Sequence, residues 1–259
     1  MKIGLSTSCL YPMLTEKALY SVCSHGVTET EIFFNAYCES EPAFVKQLLE
    51  IKNRYGVNVL SVHPTMSLAE SFVLFSAYER RYLEGLERYK RYAEIVCEMG
   101  GKYIILHGGK PNNVLDNRGY FERFAVLSNE LKREGAVLLQ ENVVKYRAGN
   151  IEVLKQMREY LGSEAAFCLD IKQSMRSGYS PFEAADVLGS AIKHVHISDN
   201  TPENDCMLPL KGTFDFGGFF KKLKQNGFAG DAIIEVYSSA FKSEDELYSS
   251  YKKIKEKNF

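Results

Sequence analysis

The chain lacks the spacings that mark several common chemistries. Its six cysteines, Cys9, Cys23, Cys38, Cys97, Cys168 and Cys206, include no C-x-x-C pair. That argues against a zinc ribbon or a redox dithiol and leaves them as small apolar fillers. No apolar stretch approaches the roughly 20 residues that span a bilayer, and the opening MKIGLSTSCLYPM has no basic-then-apolar leader. The expectation is a cytoplasmic protein with no membrane partner. Charge excess is missing as well: Lys and Arg number 32 against 33 Asp and Glu, a formal charge of -1, so nothing pulls the chain generally toward nucleic acid. A G-x-G-x-x-G after the first apolar run is absent, which counts against a dinucleotide-binding sheet. With no Pro/Gly/Ser-rich linker and no low-complexity tract, residues 1–259 read as one domain.

What the chain does have is alternation. Eight short apolar or β-branched runs recur: KIGLST, TETEIFF, VNVLSVH, KYIILHGG, AVLLQEN, AAFCLDI, IKHVHISD and DAIIEVYS. Amphipathic stretches separate them, clearest over Tyr78 to Met99, where Tyr82, Leu86, Tyr89, Ala93 and Val96 recur at three- and four-residue steps. Strands alternating with helices imply parallel pairing, because a parallel crossover needs a dozen or more residues. Eight such units in 259 residues fit a single α/β domain, a closed (β/α)8 TIM barrel.

In such a barrel the site is built at the carboxyl ends of the strands. Strands three to eight finish on His63, His107, Glu141, Asp170, His196 and Glu235. Side chains alternate faces, so His194 shares the inward face of His196 one layer deeper, where a hydrogen-bonded core role is expected. Asp199, beyond the strand, reads as a loop cap. Carboxylates converging at one mouth repel one another unless a cation sits among them. Glu141, Asp170, His196 and Glu235 form an oxygen-rich set with one imidazole that suits a single Mn²⁺, Mg²⁺ or Zn²⁺ ion.

These residues, in LQEN, CLDIKQ, HVHISD and IIEVY, make the chain similar to the xylose isomerase-like TIM barrels, the superfamily of sugar isomerases and epimerases that also contains endonuclease IV. The likeness covers nearly the whole chain. It implies a metal-dependent isomerase or epimerase of a small carbohydrate, a ketose or a sugar phosphate, working by proton abstraction through a metal-stabilised enediolate. In that reading Glu141, Asp170, His196 and Glu235 hold the metal, and Glu141 and Glu235 are also the catalytic acid/base pair. His63 and His107 bind substrate hydroxyls or a second metal, and Gln173 binds substrate where many epimerases carry histidine. The resemblance leaves a homo-oligomer open. Its alternatives are an endonuclease IV-like di-zinc phosphoesterase and a cyclitol dehydratase on the same scaffold. Against the former, Gln173 and Met207 stand where that enzyme has zinc-binding histidines.

Smaller features carry plainer expectations. Glu31 reads as reaching a distal hydroxyl or pairing with a barrel lysine. Lys172 and Arg176 read as a solvated loop face, with an anionic substrate group as the sharper alternative. Gly108 and Gly109 read as a tight turn or a close backbone approach to ligand. Phe214, Phe216 and Phe219 read as packing residues, and the terminal YKKIKEKNF as a solvated helix end.

Overall fold

Each of the eight runs forms a strand. The computed structural model describes residues 1–64, 69–257 and 259. The strands are β1 (Ile3–Ser6), β2 (Glu29–Phe33), β3 (Asn58–His63), β4 (Tyr103–Leu106), β5 (Val137–Glu141), β6 (Phe167–Asp170), β7 (Ile192–Ile197) and β8 (Asp231–Ile234). All neighbouring pairs are parallel, and β1 closes on β8 through Ile3–Ala232, Gly4–Ile233 and Leu5–Ile234. The result is the closed (β/α)8 barrel that the alternation predicts.

Ten α-helices lie among the described residues: α1 (Thr15–Ser24), α2 (Pro42–Tyr55), α3 (Glu70–Val73), α4 (Glu79–Glu98), α5 (Asn117–Arg133), α6 (Ile151–Leu161), α7 (Ile171–Arg176), α8 (Pro181–Leu188), α9 (Phe216–Gln225) and α10 (Glu244–Glu256). Eight make the outer ring. The short α3 and α7 sit on the loops after β3 and β6, at the end of the barrel where a site is expected. The predicted helix over Tyr78 to Met99 is α4, with Leu86, Tyr89, Ala93 and Val96 buried and Tyr82 at the margin of the core. Local chemistry sets the helix starts: Asp116, Asn150, Ser180 and Asp215 each accept a first-turn backbone N–H.

The core has two compartments. A large one fills the space between the barrel wall and the helices. A small one, Ile105, Leu139, Ala166 and Cys168, has the parity of His107, Glu141 and Asp170 and plugs the barrel interior beneath them. The chain's end departs from expectation. Tyr251 and Ile254 are buried on α10, and Phe259 packs on Phe220 with ring centroids 4.9 Å apart. One face of that basic segment is therefore core, and Lys252, Lys253, Glu256 and Lys257 are exposed. Four of the six cysteines, Cys9, Cys23, Cys168 and Cys206, are buried and none is disulfide-bonded; burial pushes the Cys9 thiol up to about 12.

Candidate active site

Barrel parity brings the expected residues to one mouth. His63, Glu141 and Asp170 end their strands, while His107 and Glu235 stand one residue past β4 and β8 and His196 one short of the end of β7. Glu235 still keeps the ladder, its N–H bonding the Ile197 carbonyl at 3.1 Å. Glu141, Asp170, His196 and Glu235 each present a ligand-capable atom, and these atoms all lie within 4.8 Å of one another.

His196 organises the set. Its Nδ1 lies 3.4 Å from Glu141 Oε1, 3.3 Å from Glu235 Oε2 and 3.9 Å from Asp170 Oδ2. Its Nε2 turns the other way, 3.1 Å from Glu31 Oε2. A carboxylate on one ring nitrogen fixes the tautomer and leaves the other free for a cation. The expectation that Glu31 reaches a distal hydroxyl or pairs with a barrel lysine is thereby corrected: its partners are His196, Ser61 and Ser6. Glu31 is wholly buried beneath the site, where Ser61 Oγ donates to Oε2 at 2.7 Å and Ser6 Oγ to Oε1 at 3.2 Å. His194 lies in this same lower layer, as parity predicts, with Nε2 3.4 Å from Ser61 Oγ.

The electrostatics follow from burial set against neighbours. Burial would raise the Glu141 carboxyl, but the imidazoles of His107, His196 and His63 hold it well below the usual carboxylate range. For Glu235 the opposing groups are the Lys172 ammonium and His196, and it too ends well below. Asp170 goes the other way, up to about 6, because burial and the nearby Glu141 and Glu235 charges outweigh Lys172. Burial pulls His63 down, yet the carboxylates of Glu141 and Glu31 leave it raised. His194, desolvated and beside His196, drops to about 3.

A second donor set shares Glu141. His63 Nε2 and His107 Nε2 lie 3.6 and 3.1 Å from Glu141 Oε2, and the three residues' ligand atoms also fall within 4.8 Å. Glu141 Oε2 and His107 Nδ1 are buried and make no hydrogen bond among the described residues. Buried polar atoms without partners are costly, and a carboxylate oxygen aimed between imidazoles is the donor arrangement a divalent cation satisfies. The residues present thus fit a metal.

Lys172 was missed. It is 2% exposed rather than solvated, and its Nζ donates to Asp170 Oδ2 and, at 2.7 Å, to Glu235 Oε2. The spacing gave no hint, because Glu235 is 63 residues away. Arg176 instead stays near the rim in a two-point pair with Asp205 at 2.6 and 2.8 Å, and donates to Tyr237 Oη at 2.8 Å. Gln173 Oε1 accepts the Val144 N–H at 3.1 Å.

These side chains floor a cavity of about 290 Å³ lined by His63, His107, Glu141, Lys172, Gln173 and Glu235, with Tyr11, Phe33 and Tyr237 toward its opening. That volume sits at the lower edge of the roughly 300–1,000 Å³ usual for small-molecule sites. Asp199 stays out of it and caps the following loop, accepting the N–H groups of Asn200, Gly212 and Phe214 at 2.8–2.9 Å. Phe214 packs edge-on against both Phe216 and Phe219, as expected.

Three comparisons place this geometry among known proteins. A family profile described as "Xylose isomerase-like TIM barrel" matches residues 24–257. The chain is 26% identical over 271 residues to an uncharacterized protein of Mycobacterium leprae (strain TN), covering 95% of this chain and 92% of that one. It is 25% identical over 268 residues to 3-dehydro-D-guloside 4-epimerase of Escherichia coli (strain K12), with 95% and 94% covered. Among solved structures, D-allulose 3-epimerase from Methylomonas sp. in complex with D-allulose superposes with a TM-score of 0.78 at 15% identity, covering 100% of this chain and 97% of that one.

Proposed function

The chain belongs to the xylose isomerase-like TIM barrel family, and from that premise we propose that it is a divalent-metal-dependent epimerase or isomerase of a small carbohydrate. One observation carries the reading: four donors distant in sequence, Glu141, Asp170, His196 and Glu235, converge within 4.8 Å, and two of them, Glu141 and Glu235, line a cavity of about 290 Å³. Support comes from the E. coli relative, whose name states a sugar 4-epimerase, and from the Methylomonas enzyme, whose structure holds D-allulose.

Glu141, Asp170, His196 and Glu235 would hold the ion. A divalent cation, when bound, polarises a carbonyl and makes the neighbouring C–H acidic. The rest falls to the chain. Glu141 and Glu235 are held ionised by their surroundings, so either can take a proton from the sugar carbon. For inversion, one carboxylate removes a proton while the other, having first taken a proton from water, returns it from the opposite face, and proton exchange with water resets the pair. His63, His107 and the NH2 group of Gln173 face substrate hydroxyls, and Tyr11, Phe33 and Tyr237 at the opening exclude water.

The test is solvent exchange. In D2O with Mn²⁺, a panel of ketoses and 3-keto sugars is expected to take up deuterium at the carbon beside the carbonyl. Glu141→Gln and Glu235→Gln should each slow uptake by about 10²-fold or more without loss of the fold. Full exchange in either variant would refute the assignment. Product analysis then separates epimerisation from isomerisation and from dehydration of a cyclitol.

The donor set His63, His107 and Glu141 supports a second reading, a dinuclear site with phosphoesterase chemistry. Two ions per chain, with phosphate-ester cleavage and no deuterium uptake, would establish that reading instead.

A further inference from the structure

A lysine in a barrel mouth is an expensive choice. Removing an ammonium from water is costly unless charged partners surround it, and a cation in the first turn of a helix opposes the helix dipole. Lys172 accepts both penalties: it is buried and is the second residue of α7. Its stabilisation must therefore come from what its ammonium touches.

That ammonium bridges two of the four proposed metal donors. It donates to Asp170 Oδ2 and to Glu235 Oε2, and the Glu235 carbonyl oxygen lies 3.4 Å away. The other oxygen of Asp170, Oδ1, accepts the Gln173 N–H at 2.9 Å. Asp170 is thus engaged at both oxygens by groups of α7. An incoming ion has to share Asp170 Oδ2 and Glu235 Oε2 with the lysine or move it aside. Apart from the histidines, Lys172 is the one cationic side chain among the described residues that line the cavity.

Among the groups that share oxygens with the proposed ion, Glu141, Asp170 and Glu235 are three carboxylates and Lys172 is the one ammonium, so removing the lysine leaves the donors one unit more negative toward a dication. We propose that Lys172 is a resident counter-cation of this site. It holds Asp170 and Glu235 together in the metal-free protein and lowers the affinity for the divalent ion by competing for their oxygens. This inference rests on the metal reading above, but its test reads affinity and stability rather than turnover.

Mn²⁺ binding, measured by calorimetry and by chelator competition, is compared in wild type, Lys172→Met, Lys172→Gln and Lys172→Arg, alongside thermal unfolding with and without the ion. The two neutral variants should bind Mn²⁺ at least tenfold more tightly, because a positive charge a few ångströms from the ion has gone. They should also unfold at lower temperature when metal-free and gain more from Mn²⁺ than wild type does. Lys172→Arg should stay close to wild type. Should Lys172→Met fold only with metal, Lys172→Gln and the chelator competition report the same affinity. Binding by a neutral variant where wild type binds none would support the inference in its strongest form. Equal or weaker binding by both neutral variants overturns it and leaves the metal reading standing. If neither wild type nor the neutral variants bind Mn²⁺, the metal reading falls and this inference falls with it.

Discussion

Among single residues, His194 makes the clearest case of chemistry set by depth. It shares a face with His196 but lies in the layer below, where burial and the His196 charge take it from 6.5 to about 3. The folded protein therefore keeps His194 neutral across a range in which the unfolded chain protonates it. The stability this represents is complete above pH 6.5 and is lost as pH falls toward 3, with a slope approaching about 1.4 kcal/mol per pH unit. Replacing it with a residue that does not titrate removes that slope. The stability advantage of wild type over His194→Gln, from urea unfolding at pH 6.5, 5.5 and 4.5, should shrink by about 1 kcal/mol per unit as pH falls. An advantage constant with pH would show that His194 is not the buried neutral base described.

Residue identity also decides what can be read without coordinates. Glu141, Asp170, His196 and Glu235 stand at or beside strand ends, and a polar side chain closing an apolar run is visible in one dimension. Glu31 and Lys172 are not, because their meaning comes from partners 165 and 63 positions away. A lysine two residues after an aspartate looks like an exposed helical face until the barrel closes. The buried face of α10 was within reach: Tyr251 and Ile254 sit three apart, the spacing of a core stripe, although the lysines between them suggest solvent.

At the level of elements, the loop after β4 shows how packing fixes a functional side chain. Gly108 has φ of +90°, and a Cβ there would lie 2.1 Å from Tyr120 Oη. Its N–H donates at 2.8 Å to Glu70 Oε2 on α3, and Glu70 also accepts from Tyr89 Oη on α4 at 2.5 Å. Tyr120 on α5 and Glu70 on α3, itself held by Tyr89 on α4, thus pack the turn that presents His107, which is the tight turn its glycines suggest. Gly108→Ala should destabilise by about 1–3 kcal/mol from backbone strain alone, and by more from the clash. Gly26→Ala is the control: φ there is +80°, with nothing within 4 Å of the added carbon. Denaturant midpoints should fall further for Gly108→Ala than for Gly26→Ala, and equal shifts would remove the clash from the account.

For the whole molecule, closure is the feature every other one depends on. The seam between β1 and β8 passes through Gly4, where an added Cβ would meet the Glu29 carbonyl oxygen at 2.4 Å and Ile233 Cδ1 at 2.6 Å. Gly4 therefore leaves the space Ile233 fills inside the barrel. Gly4→Ala should cost about 1–3 kcal/mol through overpacking, seen as a lower melting temperature with the helical signal retained. Unchanged melting would mean that the seam has slack. The architecture itself was legible, since eight runs with helical spacers admit few other closures. Of the inner polar layer only His194 was legible, by its parity with His196; Glu31 and Ser61 were not, because a strand buried on both faces hides which side is which until its neighbours are known.

The turn that opens α7 carries Asp170, Lys172 and Gln173 together, and Asn142 ties it to β5 by accepting the Asp170 N–H at 2.7 Å and donating to Ser174 Oγ at 2.9 Å. Three groups with different jobs at the mouth consequently travel as one rigid cassette. Grafting that short peptide into another barrel of this family would transplant ion donor, ammonium and amide in a single stroke, whereas shifting it by one position would misalign all three at once.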